Sequence, residues 1–499
     1  MTNTIYTYKN LSFKNTLIAT LLFFIVSFIG VYFHELWMDE SHHFLLSRDS
    51  DSFLDLFKNT RYDGHPILWN YLVYLITRWS KNPFYMQLMH IIISSTIAFI
   101  FLKKAPFKLW FKIAFLLSYF MLYEYTVISR NYNLGVLFLF LSCVLYAQRE
   151  ENFFVFCTFL ALSCNTHSIF TIVTSALLFS VFLEQFFKSK KEILMLYWKG
   201  YLVFFIGIGI AFYQIIPPSD SLFFDHINYL NLYEASKSSM SFFKALFPVV
   251  DFTTVKYWNH FYFIEHFKVL SLIIGAVVWI LPLLFFNKNR YVLIFIYTTL
   301  IGFVVFEIAT RRYGVRYNGL LFVTLICGFW MLNSKKENPF LNKNLSKLNT
   351  KIIFFLMLLQ AGSGVLAYSL DLKYTFNHGK NVANYIKEKK IDLNAIITVC
   401  ESASINAFLE KNLYNLAFQR PQGYYLWNEN VQSFYNQSDA QLMALGFDNK
   451  PQNHLYFIFH KPIKSNVLMS KNEYKITLAK SFENAVKENY YIYLIQNNE

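Results

Sequence analysis

Charge is what this chain has least of. Only 15% of its 499 residues are Asp, Glu, Lys or Arg, while 55% are hydrophobic and 20% aromatic, with 56 Phe. An ordinary soluble enzyme of this length carries more charge and fewer aromatics, whereas a bilayer solvates Phe, Leu and Ile directly. Acidic residues are scarcer than basic ones, 31 against 45, for a net charge of +14. The basic excess sits in short clusters between apolar runs, with no RNA-binding motif or basic stripe, which argues for cytoplasmic loops and against nucleic acid. Paired cysteines are lacking too. Cys143, Cys157, Cys164, Cys327 and Cys400 lie mostly inside apolar runs, so neither a disulfide framework nor a zinc site is indicated. The first apolar stretch, Thr16 to Phe33, lacks a small-residue cleavage site and is expected to remain as a span. Solenoid repeats and the inverted repeats of many transporters are absent, and no eukaryotic retention signal is present. The expected location is a bacterial inner (plasma) membrane.

Apolar runs place about eleven spans, near 16–33, 84–102, 109–127, 132–148, 153–167, 169–187, 200–216, 266–286, 291–309, 317–333 and 352–370. The run Pro66 to Trp79 is apolar but short, and charge decides its place. Laid along the outer surface, it leaves Lys103, Lys104 and Lys108, Lys188 to Lys191, Lys288 with Arg290, and Lys335 to Lys351 all inside. The N-terminus is then cytoplasmic and the C-terminus extracytoplasmic. Residues 1–370 read as an all-α, polytopic membrane domain with a first outer loop at 34–83. Beyond 370 the composition turns polar, with β-like runs at Ala395 to Cys400, His454 to His460 and Tyr490 to Ile495 and an amphipathic stretch from Asn381 to Lys389. Residues 371–499 therefore read as a small α/β domain on the outer side, of unknown role.

The unusual polar residues gather on that same face. Ionisable groups beside spans are expensive to keep, so their gathering points to function. In the first outer loop, Asp39, His42 and His43 share a helical face with Glu40 beside it. A carboxylate there suits a general base for a hydroxyl nucleophile; the alternatives are an acidic pair opening a helix, or a divalent metal held by Asp39, Glu40, His42 and His43. Asp49 to Ser52 read as a helix cap, and Phe53, Leu56 and Phe57 as the apolar stripe of an interfacial helix. Asp63 and His65 follow in a Gly-Pro turn, His65 reading either as a phosphate donor or as a turn residue. Arg130, flanked by Ser129 and Tyr132, could hold a phosphate bidentately or snorkel to headgroups. Arg311, Arg312 and Arg316 run against the positive-inside trend and suggest an anionic ligand, with plain anchoring as the alternative, while His167 reads first as a packed histidine.

Taken in order, these residues resemble a known group. A span, then Trp-x-Asp-Glu at Trp37 to Glu40, Gly-His-Pro at Gly64 to Pro66 and Ser-Arg-Asn-Tyr at Ser129 to Tyr132 looks like the bacterial GT-C glycosyltransferases related to the protein mannosyltransferase and lipid A aminoarabinose transferase families. The likeness covers roughly residues 16 to 335. It implies a bundle of spans with juxtamembrane helices in the first loop, and transfer of a sugar from a polyprenyl-phosphate donor to a lipid, protein or glycan acceptor at the outer face. Asp39 matches the family's catalytic loop acid and Glu40 its neighbour; His65 and Pro66 match its Gly-His-Pro-Pro element, and Arg130 with Tyr132 its Ala-Arg-Pro-Tyr element. The chain departs at Ile67, at Asn131 and at the His42-His43 pair.

The expected chemistry is a single inverting displacement with Asp39 as base and Glu40 beside it. Arg130, Tyr132, Arg311, Arg312, Arg316 and His65 would meet the donor phosphate; His42, His43, Asp63 and His167 are further candidates, and no cofactor is expected. The competing classes are a lipid or polysaccharide transporter, for which Glu184, Glu307 and the Gly207/Gly209 pair are the nearest features, and a non-catalytic envelope assembly subunit.

Overall fold

The computed structural model describes residues 11–189, 192–222, 237–334, 347–428, 434, 437–464 and 474–497. Among them, eight helices are long and apolar enough to cross a membrane: Phe13–Phe33, Phe84–Lys104, Ser168–Lys188, Leu196–Ile215, Lys268–Phe286, Arg290–Thr310, Val315–Ser334 and Lys347–Lys373. The expected runs at 132–148 and 153–167 form the shorter apolar helices Tyr132–Gln148 and Phe153–Cys164. The chain is a multi-pass membrane protein. Parts of two expected cytoplasmic clusters, Lys190 with Lys191 and the stretch 335–346, lie outside the described residues.

The run 109–127 is not one α-helix. It breaks after Leu109–Leu116 and continues as a π-helix over Tyr119–Val127, whose first turn is capped where the Ser118 hydroxyl accepts the Met121 N–H. The helix Lys347–Lys373 crosses at that break. A Cβ on its Gly364 would collide with the Leu117 carbonyl oxygen, so only glycine permits the approach. The wider turn lets Tyr123 and Glu124 face inward; π-turns recur where function needs a side chain re-aimed.

The first loop folds onto one end of the bundle. Its helices are Met38–Asp49, Phe53–Thr60, capped by Ser52, and Leu68–Trp79. The last is 12 residues, or about 18 Å, too short for a hydrocarbon core of about 30 Å. Between them Gly64, at φ 65°, supplies the left-handed turn that brings His65 back under the loop.

The C-terminal region holds a six-stranded mixed sheet in the order β3-β2-β1-β4-β6-β5, with β1 Ile396–Thr398, β2 Tyr414–Asn415, β3 Arg420–Pro421, β4 His454–Phe459, β5 Tyr474–Phe482 and β6 Tyr490–Asn497. Strand β1 runs parallel to β2 and β4, and the other pairings are antiparallel. The amphipathic stretch expected near Asn381 forms the helix Gly379–Glu388. The last spanning helix runs three residues past the expected boundary at 370, to Lys373, and Asp371 inside it is buried. The sheet region is fastened to the first loop. Ala403 and Ala407 pack with Leu36, Phe44, Leu45, Trp69, Val73 and Met86 in one buried cluster. Arg48 Nη1 donates to the Asn406 and Leu409 carbonyls at 3.0 and 3.2 Å.

Candidate active site

Asp39 lies at the start of the helix Met38–Asp49, where a carboxylate is favoured by the helix dipole. Arg130 Nη1 donates to its Oδ2 at 2.5 Å, and Arg316 Nη1 lies 2.8 Å from the same oxygen. Burial alone would raise the Asp39 carboxyl, but the two guanidiniums override it and hold it well below the usual carboxylate range. Both cations come from distant sequence, Arg130 from the turn before Tyr132–Leu145 and Arg316 from the start of Val315–Ser334.

Glu40, the next residue, faces the other way. It is fully buried; its carboxylate accepts the Ser129 N–H at 2.6 Å and the Trp37 N–H at 3.3 Å, and His34 Nε2 lies 3.0 Å from it. The other His34 nitrogen meets Asp371 at 3.0 Å, and Tyr123 and Tyr257 donate to Asp371 at 3.2 and 3.0 Å. Burial opposes charge on His34, but Asp371 and Glu40 outweigh it and raise its pKa well above the ordinary value. Glu40 thus ties the segment bearing Arg130 to the end of the last spanning helix.

The histidines separate by partner. His42 Nε2 meets Asp63 at 2.9 Å; burial disfavours its charged form, but Asp63 raises its pKa. His43 Nδ1 meets Asn70 Oδ1 at 2.8 Å, and burial followed by Arg130 lowers its pKa to about 3. Asp39, Glu40, His42 and His43 therefore turn to four different sets of partners. His65 stacks on His167 with centroids 4.3 Å apart, and burial with His167 holds it neutral. His167 Nδ1 accepts the Ile169 N–H at 3.1 Å, so its Nε2 carries the proton and donates to the Tyr132 oxygen at 3.1 Å. That leaves the Tyr132 hydroxyl proton for another acceptor.

The three outer arginines part company as well. Arg316 joins Asp39, while the charge of half-buried Arg312 acts on His65 and His167. Arg311 is the left-handed C-cap of Arg290–Thr310 and is exposed to solvent.

Several groups at the site were not among the sequence candidates. Glu124 accepts from Trp258 Nε1 and from the Tyr119 hydroxyl, each at 3.1 Å, within reach of the Arg316 and Arg130 charges. Its signal was a lone acid in an apolar run. Trp37 and Trp258 meet edge-on at 4.9 Å beneath the Arg316 guanidinium. Glu401, half-buried after β1, is pushed up to about 7 by burial, then by Glu488 and Asp39.

Around Asp39 stand polar atoms that are buried without a hydrogen-bond partner: Arg130 Nε, His65 Nδ1, Trp37 Nε1 and the Ser129 hydroxyl. Orphaned buried donors are costly, and a cluster of them marks a place shaped for an acceptor-rich ligand.

The chain has the ArnT fold. It superposes on ArnT from Cupriavidus metallidurans bound to undecaprenyl phosphate with a TM-score of 0.53 at 10% identity, covering 96% of this chain and 98% of that one. On the same protein in the apo state the TM-score is 0.51 at 11% identity, with the same coverage. No family model matches the sequence, and no curated protein matches it. The likeness is one of fold over nearly the whole of both chains, including the bundle and the C-terminal sheet, and it agrees with the GT-C bundle expected from the motif order.

Proposed function

We propose that this chain is a membrane glycosyltransferase, moving a sugar from a polyprenyl-phosphate donor to an acceptor hydroxyl at the outer membrane face. The observation that carries the reading is the pair Arg130 and Arg316 closing on one carboxylate, Asp39, with Arg130 Nε, Trp37 Nε1 and the Ser129 hydroxyl left unpartnered beside them. Two arginines that share a single carboxylate keep positive charge to spare, which suits them to phosphate oxygens. The ArnT likeness supports it, since that protein's structure was obtained with undecaprenyl phosphate. The outer placement is supported by the basic clusters expected on the cytoplasmic side, and it would leave the sheet region outside the bacterial inner membrane.

While both arginines hold Asp39 it is a poor base. An incoming donor phosphate competes for them and draws their charge away, raising the proton affinity of Asp39 as the acceptor arrives. The acceptor oxygen then bonds to the anomeric carbon while the bond from that carbon to the phosphate oxygen breaks, with inversion. The acceptor proton passes to Asp39, and the lipid phosphate departs as an anion on Arg130 and Arg316. Tyr132 and Arg312 lie on the histidine side of the cleft, where a donor hydroxyl or phosphate oxygen would meet them. Glu40 holds the geometry and takes no proton from the acceptor.

The test is transfer from a radiolabelled polyprenyl-phosphate sugar in membranes with matched expression. Asp39→Asn should cut transfer by roughly a hundredfold to ten-thousandfold; near-normal transfer would remove the base assignment. A transporter would want its intramembrane acids available to cargo. Glu307 is instead bonded to Ser238 and Ser241 at 2.7 and 2.8 Å, and Glu184 to Arg149 at 2.7 Å.

A further inference from the structure

The cleft around Asp39 has a third cation that comes from the sheet region. Lys487 lies in the turn between β5 and β6, with its Nζ 4.8 Å from the Trp258 ring centroid and 5.2 Å from that of Trp37. Those are the two rings under Arg316, whose guanidinium carbon stands 5.9 and 5.0 Å from them. Two cations sharing one pair of rings repel each other, and the quadrupoles of the indoles offset only part of that repulsion. Asp39 is the nearest carboxylate to Arg316, and it is already shared with Arg130.

Lys487 makes no ion pair among the described residues; the charges of Glu488 and Asp39 act on it from farther off, and its side chain is solvent-accessible. The adjacent Glu488 is turned into the sheet region, where its carboxylate accepts from Ser404 at 2.9 Å, from Tyr490 at 3.0 Å and from Asn377. The backbone holds Lys487 in place. Its N–H donates to the Phe376 carbonyl at 2.9 Å, and that of Val486 to Thr375 at 3.0 Å. Val486 is buried in the core of the membrane bundle, and the Phe376 ring packs on His34 at 4.5 Å and on Trp258 at 5.5 Å. The ammonium is therefore presented to the cleft by a fixed turn.

We propose that Lys487 completes the lipid-phosphate subsite with Arg130 and Arg316, so that the C-terminal sheet region supplies part of the donor-binding site. This rests on the glycosyltransferase reading. A sugar phosphodiester carries one negative charge and the departing lipid phosphate up to two, so a third cation is best placed to hold the leaving group. It also gives the sheet region a task that no sequence motif assigned to it.

The experiment is binding of undecaprenyl phosphate to the purified full chain in detergent, read by quenching of tryptophan fluorescence and by competition with inorganic phosphate. Lys487→Met keeps an alkyl stem on the rings and removes the charge. It should weaken binding roughly tenfold to a hundredfold, Lys487→Arg should restore most of it, and Lys480→Ala, on exposed β5, should leave it unchanged. Competition by inorganic phosphate that is lost in Lys487→Met identifies the phosphate group as what the lysine meets. Wild-type-like binding by Lys487→Met overturns the inference and leaves the glycosyltransferase reading standing. Failure of the wild type itself to bind overturns both.

Discussion

Two carboxylates from different regions act on the same cleft with opposite electrostatics. Asp39, on the first-loop helix, is held by Arg130 and Arg316, and its pKa is pulled down. Glu401, after β1 of the sheet region, is half-buried with no ion pair among the described residues, and its pKa is pushed up to about 7. A paired carboxylate keeps its charge at the expense of basicity, and an unpaired one gains basicity at the expense of stability when charged. The first loop and the bundle thus supply a strongly ionised half of the cleft, and the sheet region, besides Lys487, a half that can exchange protons near neutrality.

The largest effect expected from breaking that contrast is on the cationic side. Arg316→Ala and Arg130→Ala should each lower transfer by roughly a hundredfold to a thousandfold, measured as initial rate with saturating acceptor, with weakened donor binding. Unchanged donor affinity in both would return the arginines to headgroup contacts.

Glu40 sharpens the comparison from inside the scaffold. Truncating it to Ala leaves the Ser129 N–H and His34 without their buried partner, at a cost of roughly 3 to 5 kcal/mol. Thermal melting in detergent should show the loss, together with reduced activity because Ser129 adjoins Arg130. A fully stable but inactive Glu40→Ala would move Glu40 from scaffold to chemistry.

The halves also differ in how far they can be read from sequence. Asp39, Arg130 and Arg316 stand out because a charged residue beside an apolar run is costly, so its presence is itself a signal. Lys487 and Glu401 sit in a polar region, where Lys and Glu are background and only the pairing of distant segments shows which ones matter. Trp258 was hidden for the inverse reason, as one aromatic among many. Eight of the expected spans were legible from the length of their apolar runs, and three strands from short β-like runs. The break before the π-helix was not, because Leu109 to Val127 reads as one mostly apolar run and the close approach of Gly364 to Leu117 and Ser118 comes from a helix more than 200 residues on. Arg311, Arg312 and Arg316 looked like one cluster because spacing along the chain does not reveal that a helix ends at Thr310 and another starts at Val315.

The smallest expected effect is the pH dependence of stability. Glu401 has its folded pKa raised from an ordinary 4.5 to about 7, so between those values the folded protein holds a proton the unfolded chain has lost, and stability falls as pH rises. Asp39 works in the opposite direction, its contribution being present above the ordinary carboxylate range and lost on acidification through its depressed folded pKa. Glu401→Gln should therefore melt close to wild type near pH 5 and at higher temperature than wild type above pH 7. Asp39→Asn should flatten the acid side instead. If both variants changed the same limb, the two carboxylates would be one coupled pair, and the division of the cleft into an ionised half and a proton-exchanging half would fail.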